Sequence, residues 1–150
     1  MGLDELYQEI IFDHYKKPRN HGLLANPDVT IDGKNPFCGD EVKLSLKVEN
    51  NLVTDIAFEG TGCAISQASV SIMTEQIKGK TVEQARQIVE QFSEMVKGES
   101  EYDQDSMDDL AAFQGVSGFP TRVKCALLGW NTLKKALDQA VNQHNNKGDV

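Results

Sequence analysis

The sequence has few cysteines, few basic residues and no long apolar run, and each shortage excludes a class of protein. Its 150 residues include three cysteines, and an odd number of cysteines does not make a disulfide framework. The 15 lysines and arginines against 23 acidic residues give a formal net charge of −8. That balance argues against nucleic acid or an anionic membrane as the main partner. No apolar stretch has the length of a membrane-spanning helix.

Familiar catalytic patterns are also missing. The chain has no GxGxxG, P-loop, HExxH or nucleophile-elbow pattern and no internal repeat. From its first residues we expect no signal peptide. An acidic stretch at residues 98–109 is typical of a solvated loop or a frayed helix start rather than of a metal site. The length predicts one domain over residues 1–150. We expect it to be cytoplasmic, with its thiols reduced.

The three cysteines carry most of the functional signal. None belongs to a CxxC pair: Cys38 lies in the run Asn-Pro-Phe-Cys-Gly-Asp, Cys63 follows Gly-Thr-Gly, and Cys125 follows Pro120 near a helix start. Zinc and iron both accept three thiolates plus one oxygen or nitrogen donor, and Asp40 is a candidate fourth ligand. Free cysteine is also among the most buried residue types. Counting alone therefore leaves a metal site and three packed thiols both open.

Apolar periodicity predicts a first helix over residues 3–16, ended by Pro18. His14 falls on the apolar stripe of this helix, where a packed, hydrogen-bonded histidine is favoured over a metal ligand. His21 falls in the following loop and is expected to be a surface histidine.

From residue 29 the period changes to two, which predicts a small antiparallel sheet. Strands are predicted over 29–32, 42–48 and 52–58, with a turn at 50–51 between the last two. In such a hairpin residue 40 near the start of one strand lies beside residue 60 near the end of the next. Cys38, Asp40 and Cys63 are therefore expected at one edge of the sheet.

Three helices are predicted after the sheet. The first starts at Cys63, where the helix dipole favours a thiolate, and ends at Gly79. The second starts with a capping box at Thr81. The last begins near Pro120, and Cys125 lies off its apolar stripe, on a different side from the core residues. That position favours a metal ligand or a reactive thiol over a packing residue.

These features together resemble the U-type iron–sulfur assembly protein family, and within it the SufU branch. The resemblance covers nearly the whole chain and is carried by residues 13–20, 35–40, 62–66 and 122–126. The scaffold branch of that family has a histidine just before the third cysteine, whereas this chain has Lys124. The stretch between the second and third cysteines is also longer than in the scaffold branch.

The resemblance implies an α+β, IscU-like fold, with a small antiparallel sheet and helices packed on one face. It implies a zinc ion held by Cys38, Asp40, Cys63 and Cys125. It also implies that Cys38 accepts sulfane sulfur as a persulfide from a SufS-type, PLP-dependent cysteine desulfurase. The protein would then act as a sulfurtransferase-like relay for iron–sulfur cluster assembly, together with other iron–sulfur assembly proteins.

Three alternatives stay open at the level of sequence. The same ligands would serve a scaffold on which a [2Fe–2S] cluster is assembled and passed to apo-proteins, although Lys124 is a poor cluster ligand. A structural zinc module would use the metal only to hold the fold. A domain without metal would keep the thiols for packing alone.

Overall fold

Three antiparallel strands and the helices that follow them make an α+β fold. A computed structural model describes residues 3–36, 39–99 and 108–148. In chain order the elements are α1 (Leu3–Lys16), β1 (Val29–Asn35), β2 (Asp40–Glu49), β3 (Leu52–Thr61), α2 (Ala64–Ile77), α3 (Val82–Val96), a 3-10 helix (Asp108–Gly118) and α4 (Pro120–Gly148). The predicted fold class, helices and strands are confirmed; the 3-10 helix was not predicted.

The strands lie in the order β1-β2-β3, and the β2–β3 hairpin fixes the register that matters for function. Its turn residues Asn50 and Asn51 have φ values of 52° and 65°, which suits a tight hairpin with the twist of the flanking strands. Glu41 pairs with Thr61, and the next pair along joins Val42 to Gly60. The predicted meeting of the start of β2 with the end of β3 is therefore confirmed.

One face of the sheet is covered by α4, which packs on β1 and β2, and by α2, which packs against β3. Alternate strand residues point into this core, as the period of two requires. Gly33 allows the closest approach of α4, because a Cβ there would lie 2.0 Å from Thr132 Oγ1. Phe92 of α3 stacks on Trp130 of α4 with ring centroids 4.4 Å apart. These contacts hold the middle of α4 against the sheet and against α3.

Helix α1 is fastened to α2 through polar contacts as well as apolar ones. His14 is 2% exposed, its Nδ1 lies 2.7 Å from Ser71 Oγ, and its Nε2 lies 3.5 Å from a Glu75 carboxylate oxygen. The prediction of a packed, hydrogen-bonded histidine is confirmed. His21 is exposed in the loop after α1, with its ring edge against Phe58, which confirms the prediction of a surface histidine.

Most of the acidic segment lies outside the described residues, which resume at Asp108 within the 3-10 helix. Leu110, Ala112, Phe113 and Val116 of this helix join the main core. None of the helices in the described ranges is both long and apolar enough to cross a membrane.

Candidate metal centre

Three side chains of types that can bind a metal meet where the sheet edge, α2 and α4 come together. One carboxylate oxygen of Asp40, Cys63 Sγ and Cys125 Sγ all lie within 4.8 Å of one another. Within the described ranges this is the one group of at least three histidine, cysteine, aspartate or glutamate side chains so arranged. The sequence expectation that Asp40 and Cys63 share an edge is therefore met, and Cys125 reaches the same point from α4.

Each of these three candidate ligands lies at or near the start of a secondary-structure element. Asp40 is the first residue of β2, and Cys63 directly precedes α2 as its N-cap. Cys125 lies in the second turn of α4 and is 4% exposed. The Cys125 side chain, which was expected on a different side of α4 from the core residues, is thus buried as well. Cys63 is exposed, so the group opens to solvent on its side.

Hydrogen bonds hold the Asp40 carboxylate in one orientation. The side chain is fully buried, and Oδ1 accepts a hydrogen bond from the Cys63 backbone N–H at 2.8 Å. Oδ2 lies 3.8 Å from Cys63 Sγ. One carboxylate oxygen is therefore bonded to the protein backbone, while the other faces the thiols.

The Cys63 side chain is held by the start of α2. Its sulfur accepts a 3.5 Å hydrogen bond from the Ser66 backbone N–H, and the Ser66 hydroxyl donates to the Cys63 carbonyl at 3.2 Å. Gln67, which is buried beside Gly60, donates from Nε2 to the Ser66 hydroxyl at 3.1 Å. Sequence reasoning missed these supporting roles, and the Gly-Thr-Gly run before Cys63 was the one signal of close packing there.

The donor set suits a zinc ion. Tetrahedral zinc with a Zn–S distance of about 2.3 Å places its donor atoms about 3.5–3.8 Å apart, and Asp40 Oδ2 and Cys63 Sγ are 3.8 Å apart. Metal binding deprotonates coordinated thiols, so a divalent cation here would be surrounded by two thiolates and a carboxylate whose donor atoms lie within 4.8 Å of one another. The geometry and the chemistry of the donor set therefore agree.

The start of α4 carries two cationic residues close in sequence to Cys125. Arg122 and Lys124 are both exposed, and the Arg122 guanidinium lies 4.6 Å from the ring centroid of Phe119. Phe119 is itself half exposed. An exposed aromatic and two cations therefore lie within the six residues that precede Cys125.

Cys38, the remaining predicted ligand, lies outside the described residues. The described residues around it include Asn35, which ends β1, and Gly39, which has a φ of 70° directly before Asp40. The Gly39 N–H donates to the Asn35 carbonyl at 2.9 Å and closes the connection between β1 and β2. The part played by Cys38 stays a prediction.

Comparison with known proteins agrees with the family resemblance of the sequence. Residues 6–126 match the model of the NifU-like N-terminal domain family. The chain belongs to this family. The zinc-dependent sulfurtransferase SufU of Bacillus subtilis (strain 168) is 50% identical over 137 residues, which cover 90% of this chain and 91% of that relative.

Other members of the family are named as scaffolds. The iron–sulfur cluster assembly scaffold protein IscU of Streptococcus pyogenes serotype M1 is 41% identical over 143 residues, which cover 95% of this chain and 89% of that relative. A solved structure of a proposed scaffold protein for the SUF system, from Fervidobacterium islandicum AW-1, matches with a TM-score of 0.82 and 41% identity. That match covers 91% of this chain and 99% of the other. Membership of the family is thus shown by sequence and by fold, and both sulfurtransferases and scaffolds occur among its relatives.

Proposed function

We propose that this protein accepts sulfane sulfur on Cys38 from a SufS-type cysteine desulfurase and relays it for iron–sulfur cluster assembly. The observation that carries the proposal is the convergence of Asp40, Cys63 and Cys125 donor atoms within 4.8 Å of one another. It occurs in a chain that is 50% identical to a zinc-dependent sulfurtransferase. The proposal treats residues 1–150 as one assembly domain and the cytoplasm, where thiols stay reduced, as its place of action.

In this proposal Asp40, Cys63, Cys125 and Cys38 hold one zinc ion. Covalent connection limits the distance from Cys38 to the other ligands, since two residues span at most about 7 Å between Cα atoms and Asp40 is two residues on. Bound zinc keeps coordinated thiolates deprotonated and has no redox chemistry of its own. Four anionic ligands around a doubly charged ion leave an excess of about two negative charges, and in this proposal Arg122 and Lys124, close in sequence to Cys125, offset part of it.

The sulfur transfer itself is an exchange between sulfur atoms. The Cys38 thiolate attacks the terminal sulfur of a persulfide on the desulfurase cysteine, and a new sulfur–sulfur bond forms on Cys38. The sulfur–sulfur bond on the desulfurase breaks, and its cysteine leaves as a thiolate. No electrons are gained or lost overall. The chain is then a co-substrate of the desulfurase and passes the sulfane sulfur to other iron–sulfur assembly proteins by the same exchange.

Mass spectrometry tests the proposal directly. Zinc-loaded protein is incubated with a SufS-type desulfurase and cysteine, and the persulfide on each of the three cysteines is measured. We expect persulfide on Cys38 and expect Cys38→Ser to abolish both the persulfide and the stimulation of cysteine turnover. Cys125→Ser, which keeps Cys38 but removes a proposed zinc ligand, is the matched control for zinc loss alone. Persulfide mainly on Cys63 or Cys125 would overturn the assignment of Cys38.

The second candidate is a scaffold that builds a [2Fe–2S] cluster on the same ligands. The 41% identity to the Streptococcus pyogenes scaffold protein favours it, and thiolates hold such clusters in many proteins. Metal analysis of protein purified without chelator distinguishes the two. Colourless protein with one zinc per chain supports the relay, whereas brown protein with iron and sulfide, and no persulfide on any cysteine, supports the scaffold.

A further inference from the structure

Gly62 lies against the carboxylate of Asp40, one residue before Cys63. A Cβ at Gly62 would lie 2.2 Å from Asp40 Oδ1 and 2.9 Å from Asp40 Cγ. Both distances are far inside van der Waals contact, and Asp40 is fully buried. The side chain of Asp40 therefore occupies the space that a side chain at Gly62 would need.

The same carboxylate is bonded to the residue after Gly62. The Cys63 N–H donates to Asp40 Oδ1 at 2.8 Å, which leaves Oδ2 on the side of the thiols, 3.8 Å from Cys63 Sγ. If Oδ1 were displaced, this bond would break and the carboxylate would turn about its χ2 torsion. The Gly62–Cys63 backbone thus gives the two carboxylate oxygens of Asp40 different surroundings: Oδ1 is bonded to the backbone, and Oδ2 lies near the thiol.

We propose that Gly62 is a positioning residue for the metal centre. By leaving room for Asp40 Oδ1 to reach the Cys63 N–H, it presents Oδ2 alone to the metal, as a single-oxygen ligand. This inference rests on the proposed zinc site and adds a residue that is not itself a ligand. Hydrogen-bonding partners that orient a metal ligand commonly change metal affinity by about 10–100-fold when they are mutated.

Gly62 also has a φ of +145°, so backbone conformation alone gives one reason for glycine there. Gly22 offers a matched control for that effect. Its φ is +118°, and a Cβ built on it would meet nothing within 4 Å. Gly22→Ala therefore places alanine at a positive φ without a collision, whereas Gly62→Ala combines a positive φ with the collision.

The experiment measures zinc affinity by competition with a chromophoric chelator. We expect Gly62→Ala to weaken zinc binding about 10–100-fold, and Gly22→Ala to change it by less than about threefold. In an Asp40→Ala background, adding Gly62→Ala should cause less than about threefold further loss, because residues that act through one another are not additive. An equal loss in both backgrounds, or no loss from Gly62→Ala alone, overturns the inference.

A second measurement does not depend on the folding of the glycine variant. In metal-free protein, Asp40→Ala should speed hydrogen exchange of the Cys63 amide at least about tenfold, because the amide loses its buried acceptor. An unchanged exchange rate overturns the inference. Parent protein that binds no zinc would instead contradict the proposed function, so the two failures are distinguishable.

Discussion

Helices α2 and α3 start with almost the same backbone geometry but with different capping residues. Cys63 precedes α2 with φ −72° and ψ 163°, and Thr81 precedes α3 with φ −69° and ψ 162°. Thr81 Oγ1 accepts from the Gln84 N–H at 3.1 Å, and the Gln84 side chain accepts from the Thr81 N–H at 3.0 Å. This is a complete capping box, in which the helix supplies both partners.

At α2 the two hydrogen bonds of a capping box are made with partners from different parts of the chain. The sulfur of Cys63 accepts from the Ser66 N–H at the longer distance of 3.5 Å. The Cys63 N–H bonds to Asp40 of β2, which takes the role that Gln84 plays at α3. Threonine is a preferred N-cap and cysteine is not among the preferred N-cap residues. The start of α2 is thus built from residues suited to a metal, whereas the start of α3 is built from residues suited to a helix.

The largest effect on stability is expected when Cys63, the N-cap of α2, is replaced by serine, a common N-cap residue. Cys63→Ser should leave metal-free protein as stable as the parent, or more so, because serine is a favoured N-cap. In the presence of zinc the variant should lose the stabilisation that the parent gains, about 4 kcal/mol at zinc 1,000-fold above its Kd. Thermal unfolding with zinc and with chelator measures both effects. A variant that keeps the zinc-dependent rise in Tm would remove Cys63 from the site.

Two substitutions of Asp40 distinguish its role in capping α2 from its proposed role as a metal ligand. Asp40→Ala should lower the stability of metal-free protein by about 1 kcal/mol relative to Asp40→Asn, which keeps an oxygen acceptor for the Cys63 N–H. Both variants lose the anionic ligand, so both should retain some zinc but bind it more weakly than the parent, with impaired sulfur transfer. Denaturant unfolding of the metal-free proteins and chelator competition measure the two effects. If both variants match the parent in zinc binding, Asp40 is only the capping partner of α2.

The difference between the two caps shows what the sequence can predict. Alternation of apolar residues and the Asn50-Asn51 turn fix the register of β2 and β3, and the register brings Asp40 near Cys63. The capping box at Thr81 is local and was predicted from four adjacent residues. The approach of Cys125 depends on how α4 crosses the sheet, which is a tertiary contact that no local period encodes.

Other parts of the site were beyond sequence reasoning for a similar reason. The role of Gly62 follows from the path of the Asp40 side chain, and a glycine-rich run indicates close packing without saying against what. The 3-10 helix Asp108–Gly118 has about three residues per turn. Its buried residues lie on several sides of the helix, so its sequence shows no separate polar face that would predict it. Cys38 and its role still rest on the family resemblance.

Substituting His14, which contacts Ser71 in the middle of α2, tests whether contacts there contribute to stability as the cap of α2 does. Burial lowers the pKa of His14 below its usual 6.5, and the nearby Arg19 guanidinium lowers it further, against the opposing effect of Glu75 and Asp109. The unfolded chain therefore binds a proton at a higher pH than the folded protein does. The contribution of His14 to stability is present above about pH 6.5 and is lost as the pH falls below it.

His14→Gln should accordingly lower stability at pH 7.5 by about 1–3 kcal/mol, because the hydroxyl of Ser71 loses a buried partner. The loss should shrink as the pH falls from 6.5 towards 5. Unfolding of metal-free protein across this range measures it, and His21→Gln at pH 7.5 is the control for removing an exposed imidazole. A loss that grows as the pH falls would contradict the direction of the pKa shift.

At the ordinary cap of α3 we expect an effect on stability alone. Thr81→Ala removes the acceptor of the Gln84 N–H and should cost about 1 kcal/mol of unfolding free energy, as N-cap substitutions to alanine commonly do. Because Thr81 is a helix cap with no part in the metal group, the loss should be the same with zinc and with chelator, and zinc affinity should not change. Equal shifts in the two unfolding curves check this. A zinc-dependent difference would mean that α3 and the metal centre are coupled, and the two caps could no longer be treated as independent.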